Sequence, residues 1–135
     1  MEYHRQIRVE FNHCDPAGIV FFPRYYEMAN SVVENFFREE VDYPYHRMMD
    51  EDFGAPTVKI DTEFSAPSRL GDLLDWSLVV TKVGNSSATF RLTATGDDQL
   101  RLTTTHTLVW IDPQGKATRW PDTIRQKLIV FQETT

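Results

Sequence analysis

Cysteine is nearly absent. Cys14 stands alone, so no intramolecular disulfide framework and no cysteine-rich zinc site is available. Long apolar runs are missing as well: in the N-terminal half the longest is Ile19-Val20-Phe21-Phe22, far short of the ~20 residues a membrane span needs. The first ten residues, MEYHRQIRVE, are charged throughout, unlike a secretory signal, and a cytoplasmic protein without membrane partners is expected. Positive charge is in deficit. The 14 Lys and Arg against 20 Asp and Glu leave a formal charge of −6, which disfavours nucleic acid as a partner, because a polyphosphate chain needs a basic face. A small phosphorylated ligand stays open, since a few local charges suffice for one. Repeats, low-complexity tracts and linker-like stretches are also lacking. What remains is an ordinary globular mix, 41% hydrophobic and 25% charged over 135 residues, expected to form one domain over residues 1–135.

The hydrophobic period switches along the chain, and the switching predicts the architecture. Tyr3, Ile7, Val9 and Phe11 alternate with His4, Gln6, Arg8 and Glu10, a strand with one wet face. A turn-rich stretch follows, then Pro23, which suits the first turn of a helix. Tyr25, Met28, Ala29, Val32, Val33, Phe36 and Phe37 recur at steps of three and four, predicting an amphipathic helix that ends near Glu40. A shorter helix is expected over Tyr45–Asp50. Four alternating runs come next, around Val58–Phe64, Leu74–Val80, Ala88–Ala94 and Leu100–Trp110, with turn residues at Gly84-Asn85, Gly96-Asp97-Asp98 and Asp112-Pro113-Gln114-Gly115. Hairpin connections make the sheet antiparallel. After Pro121, Ile124, Leu128 and Ile129 predict a short terminal helix. The expected fold class is α+β: one long central helix wrapped by a five-stranded antiparallel sheet. Two sheet edges must then be covered or paired, and a homo-oligomer that continues the sheet across subunits is the physical expectation.

Chemistry concentrates in residues 13–23, His-Cys-Asp-Pro-Ala-Gly-Ile-Val-Phe-Phe-Pro. A carboxylate, Asp15, lies in a loop of small residues shortly before the helix. The first N–H groups of a helix lack internal partners and sit at the positive end of its dipole, so they suit a developing oxyanion. Asp15 would then supply a nucleophile or a general base. The plainer local reading is an Asp-Pro turn in which the carboxylate bonds nearby backbone. The residues alone leave both open.

The run from Asp15 to Pro23, continuing into Tyr25, resembles the signature of the 4-hydroxybenzoyl-CoA thioesterase family, whose members have the hotdog fold. The order of elements agrees over nearly the whole chain: strand, signature loop, central helix, four-stranded meander and a short helix after a proline. The resemblance implies hydrolysis of a small-molecule acyl-CoA thioester without metal or cofactor. It implies Asp15 as the catalytic carboxylate and the Phe22 backbone N–H as the group that polarises the carbonyl. Gly18 would be the glycine that permits close backbone approach in the loop. It also implies an acyl pocket along the helix near Asn30 and Glu34, and an assembly as a dimer or a dimer of dimers (a tetramer) that completes the site. Two departures stand out: Arg24 replaces the usual asparagine after the proline, and the hairpin Val83-Gly84-Asn85-Ser86-Ser87 lacks the basic residues that some members carry. Arg69, Lys82 and Arg91 are the nearby substitutes for contacts to CoA phosphates, although an ordinary solvated surface charge is the plainer reading of each.

Other activities compete with this reading. Hydrolysis of an acyl-carrier-protein thioester would make the missing basic hairpin unimportant, and a non-catalytic acyl-binding module would use the same scaffold. A cone-shaped α+β ligand-binding domain fits less well, because such domains usually begin with several helices. His13, Cys14 and Asp15 are adjacent and cannot all turn toward one metal, and Cys14 with His13 lacks a third member for nucleophilic catalysis. His106 falls on an apolar row and is expected to be a satisfied buried histidine. Asp50-Glu51-Asp52 reads as a solvated loop.

Overall fold

The computed structural model describes residues 1–134. Its elements run β1 (Tyr3–Arg8), a 3-10 turn (Phe11–His13), α1 (Arg24–Glu39), α2 (Tyr45–Asp50), β2 (Thr57–Phe64), β3 (Leu73–Val83), β4 (Ser87–Gly96), β5 (Gln99–Val109) and α3 (Asp122–Val130). The strands form one antiparallel sheet in the order β1-β3-β4-β5-β2. The meander is therefore three strands rather than four. β2 pairs with β5, placing Phe64 opposite Leu102 and Thr62 opposite Thr104. The segment 65–72 that follows β2 is much longer than a hairpin loop, so β2 is free to cross to the far edge.

The spacing of apolar residues in α1 produces the stripe expected of it: Tyr25, Met28, Ala29, Val32, Val33, Phe36 and Phe37 are all buried. Phe36 meets Phe90 and Phe131 edge to face, with ring centroids 5.8 and 5.1 Å apart, and each such pair adds about 0.5–1.5 kcal/mol to the area term. Trp110 stacks between Phe53 and Trp120 at 5.2 and 5.4 Å. α3 buries Ile124 and Leu128 on the β3 side. At 16 residues α1 is roughly 24 Å long, and α2 and α3 share the packing with it. No single helix is wrapped by the whole sheet, because the inner face of β2 is left open: Val58, Ile60 and Phe64 are 60%, 44% and 47% exposed.

Two other rows differ from the alternation. Phe11 is 85% exposed, because the chain leaves β1 and tightens into the 3-10 turn, which ends the period of two. On β5 the inward residue is Arg101, 4% exposed, while Leu100 is 42% exposed. Ala94 pairs with Leu102 but Thr95 pairs with Leu100, which leaves Arg101 as an extra residue in a β-bulge. A bulge re-aims the side chain it contains.

Candidate active site

Residues 13–21 fold back on themselves ahead of α1. The Asp15 N–H donates to the Ile19 carbonyl at 3.0 Å, the Gly18 N–H to the Asp15 carbonyl at 2.9 Å, and the Phe21 N–H to the His13 carbonyl at 3.0 Å. Gly18 has φ +79°, a conformation that disfavours any side chain. A Cβ there would meet nothing within 4 Å. The glycine is needed here for the backbone dihedral.

The Asp15 side chain is half-buried. Its Oδ1 accepts the Ala17 N–H at 2.9 Å, the local turn that the Asp-Pro dipeptide allows. Its Oδ2 accepts no hydrogen bond among the described residues. The carboxylate borders a cavity of about 340 Å³ together with Phe11, Cys14, Pro16, Gly18 and Leu70. Ile19, Val20, Phe22, Tyr25, Phe64 and Pro67, from the same turn, the helix start and the end of β2, border an apolar cavity of about 330 Å³. Phe64 approaches the rings of Phe22 and Tyr25, with centroids 6.1 and 5.9 Å away.

The helix start is built from tight i to i−3 bonds, Arg24 N–H to the Phe21 carbonyl at 2.8 Å and Tyr25 N–H to the Phe22 carbonyl at 3.1 Å. Pro23 precedes the first helical residue with αR backbone. The Phe22 N–H has no hydrogen-bond partner among the described residues. Its side chain is 57% exposed. One turn therefore carries a carboxylate with a free oxygen and a free amide at the positive end of a 16-residue helix, the two charge types that acyl transfer requires.

The turn is held from behind by residues 65–72. The Val20 N–H donates to the Ser68 carbonyl at 2.9 Å and the Leu70 N–H to the Gly18 carbonyl at 3.1 Å. Ser68 is fully buried, and its Oγ accepts the Tyr25 hydroxyl at 2.9 Å. Asp72 caps the segment. Its Oδ2 accepts the Arg69 N–H at 2.9 Å and the Arg101 guanidinium at 2.7 Å. These bonds, the backbone one first, hold the Asp72 carboxyl below the usual carboxylate range. Arg101 also donates to the carbonyls of Pro67 and Gly96 at 3.1 and 3.0 Å.

Of the other residues singled out by sequence, the structure brings few to this turn. Arg69 is exposed and lies directly beside it, bridged to Ile19. Asn30 is exposed and borders a separate apolar cavity of about 310 Å³ with Tyr45, Met48 and Phe53. Glu34 pairs with Arg38 at 3.3 Å. Lys82 lies nine residues along β3 from Leu73, ~30 Å from the end of the strand that holds the turn, so within one chain it does not join the site. Arg91 is committed to an ion pair with Glu133. His13 accepts the Glu10 N–H on Nδ1 at 2.8 Å, a local bond that closes the 3-10 turn. His106 is buried and hydrogen-bonded, as expected of it; sequence reading missed Arg101, Asp72, Ser68 and the row of hydrogen bonds that joins His106 to Thr104, Thr62 and Tyr26. The row spans α1, β2 and β5, and only Thr104 and His106, two residues apart on β5, share an element.

Among the described residues, no three His, Cys, Asp or Glu side chains are grouped to hold a metal ion, and no helix is long and apolar enough to cross a membrane.

Comparison with known proteins agrees with this architecture. Over 71 residues the chain is 34% identical to 4-hydroxybenzoyl-CoA thioesterase of Pseudomonas sp. (strain CBS-3). That match covers 51% of this chain and spans about half the length of the relative, 50%. Among solved structures, a gentisyl-coenzyme A thioesterase has a TM-score of 0.86 at 22% identity, over 93% of this chain and 99% of that one. A 1,4-dihydroxy-2-naphthoyl-CoA thioesterase from Synechocystis has a TM-score of 0.88 at 21% identity, over 96% of each chain. Likenesses at this level of identity establish a shared fold, the hotdog fold. The model of the thioesterase-like superfamily matches residues 9–128, from just past β1 into α3, and the chain belongs to that superfamily.

Proposed function

We propose that the protein hydrolyses the thioester of a small-molecule acyl-CoA to the free acid and CoA. The observation that carries this reading is the pairing, on one turn, of an unbonded Asp15 carboxylate oxygen beside an open cavity with the unbonded Phe22 N–H at the start of α1. In the proposed reaction the thioester oxygen accepts the Phe22 N–H, which together with the helix dipole stabilises the charge that develops there. One well-placed donor of this kind is worth ~3–4 kcal/mol, or roughly 10²–10³ in rate. Asp15 either attacks the carbonyl carbon, giving an anhydride that water then cleaves, or takes a proton from water as the water adds. In both routes the C–S bond breaks, its electron pair leaves with CoA thiolate, and the thiolate takes up a proton. Gly18 holds the loop open through its positive φ. Arg69 is the basic side chain placed for CoA phosphates. A homo-oligomer joined through the β2 edge would wall the site from the open side.

The test is thiol release from short, medium, branched and aromatic acyl-CoAs. Asp15→Asn, which preserves shape and the turn bond to Ala17, is expected to fold normally and lose turnover by roughly 10²-fold or more. Wild-type turnover in that variant would refute the assignment.

A further inference from the structure

α1 and β2 run antiparallel past each other with a gap between them. At one end of the gap lies the apolar cavity beside the helix start, bordered by Phe22, Tyr25 and Phe64. At the other end lies the second apolar cavity, bordered by Asn30, Met48 and Thr57. Between them, among the described residues, one side-chain hydrogen bond joins α1 to β2. The Tyr26 hydroxyl donates to Thr62 Oγ1 at 3.1 Å, Thr62 Oγ1 bonds Thr104 Oγ1 at 2.7 Å, and Thr104 Oγ1 bonds His106 Nε2 at 3.0 Å. Thr104 is 0% and His106 4% exposed. A row of four polar side chains between helix and sheet forgoes hydrophobic burial, and its members are satisfied by one another. The row fixes the Tyr26 ring across the gap, one helical turn (~6 Å) beyond the Phe22 amide.

Resting on the reading above, in which the thioester carbonyl sits at the Phe22 N–H, we infer that the Tyr26–Thr62 bridge is the end stop of the acyl pocket. It confines the site to acyl groups about one ring or a short chain deep and shuts the second cavity off from them. Thr104 and His106 act behind it as positioning residues that keep the Thr62 hydroxyl turned toward Tyr26.

The experiment measures kcat/KM for straight-chain acyl-CoAs from butanoyl to tetradecanoyl and for benzoyl-CoA. In parallel, the thermal shift produced by the corresponding free acids is recorded. Wild type is expected to fall off beyond short chains in both readouts. Tyr26→Ala joins the two cavities, so the ratio of long-chain to short-chain kcat/KM should rise by roughly tenfold or more, since each buried methylene is worth about fourfold. If that variant does not fold, Tyr26→Leu, which keeps apolar bulk in a shorter side chain, reads the same ratio. A folded variant whose chain-length profile superimposes on that of wild type overturns the inference, as does a wild type that shows no length limit. The binding arm separates the two readings. If no acyl-CoA is cleaved by either protein but the acid-binding profile lengthens in the variant, the hydrolase assignment fails and the end stop stands.

Discussion

Arg101 occupies a bulge in β5 with its guanidinium 5% exposed, and it meets a carboxylate, Asp72, that is still 24% exposed. The pair is asymmetric for that reason. Removing the Asp72 charge leaves a buried cation with only carbonyl partners, the costly way to break such a pair, and Asp72→Asn is expected to lower stability by ~2–4 kcal/mol. The pH dependence has a definite sign. Asp72 is held below its unfolded value of ~3.9, first by the Arg69 N–H and then by Arg101. Its stabilisation is therefore complete above that unfolded value and is lost as pH falls through the folded one. Burial also lowers the pKa of His106. The unfolded chain takes that proton first, so stability begins to drop already as pH falls below ~6.5. Denaturant melts across the acid range should show both declines in wild type. In Asp72→Asn the upper one should remain and the lower one should flatten; an unchanged lower limb would show that Asp72 does not carry it.

The hairpin between β4 and β5 turns on Asp97 and Asp98, both left-handed at φ 49° and 60°. Two positive φ values make a turn whose twist matches the flanking strands, and glycine is the residue best suited to its second position. Asp98→Gly removes the strain of an L side chain there and the repulsion between neighbouring carboxylates, against the extra entropy that glycine has when unfolded. A net gain of ~0.5–1 kcal/mol is expected, read as a higher melting temperature; a lower one would show that the Asp98 side chain holds the turn. Elements of this kind were the legible part of the chain. The period of α1 identifies its buried face without knowledge of what covers it, and the strands and turns follow in the same way. The Asp15 turn was legible too, because its residues are contiguous. Pairing was not, since alternation in β2 specifies two faces but no neighbour, and both β3 and β5 would satisfy it. Arg101 was hidden because a bulge reverses the alternation at one residue. The Tyr26–Thr62–Thr104–His106 row was hidden because its members come from a helix and two strands and only the sheet order brings them together.

At the scale of the whole molecule the two sheet edges differ. β1 presents His4, Gln6 and Arg8 to solvent, polar side chains, one of them charged, that offer a second strand no apolar surface. β2 shows Val58, Ile60 and Phe64, each still largely exposed although Tyr25 of α1 touches Phe64. On an exposed apolar strand edge in a protein of charge −6, a second copy is expected to add. Association there would cover the open side of both apolar cavities, since Phe64 borders one and Thr57 the other. Because like-charged copies repel, raising the salt concentration should strengthen the assembly until the ~8–10 Å Debye length at physiological ionic strength is passed. Sedimentation is therefore expected to give a dimer or larger species for wild type, tighter at moderate salt than at low salt. Val58→Glu with Ile60→Glu puts two charges on each copy's edge and should give a monomer with unchanged far-UV circular dichroism. Turnover per chain should fall in step with the loss of dimer, since the acyl pocket would then lack its outer wall. A double variant that keeps the wild-type mass would show that the copies meet elsewhere.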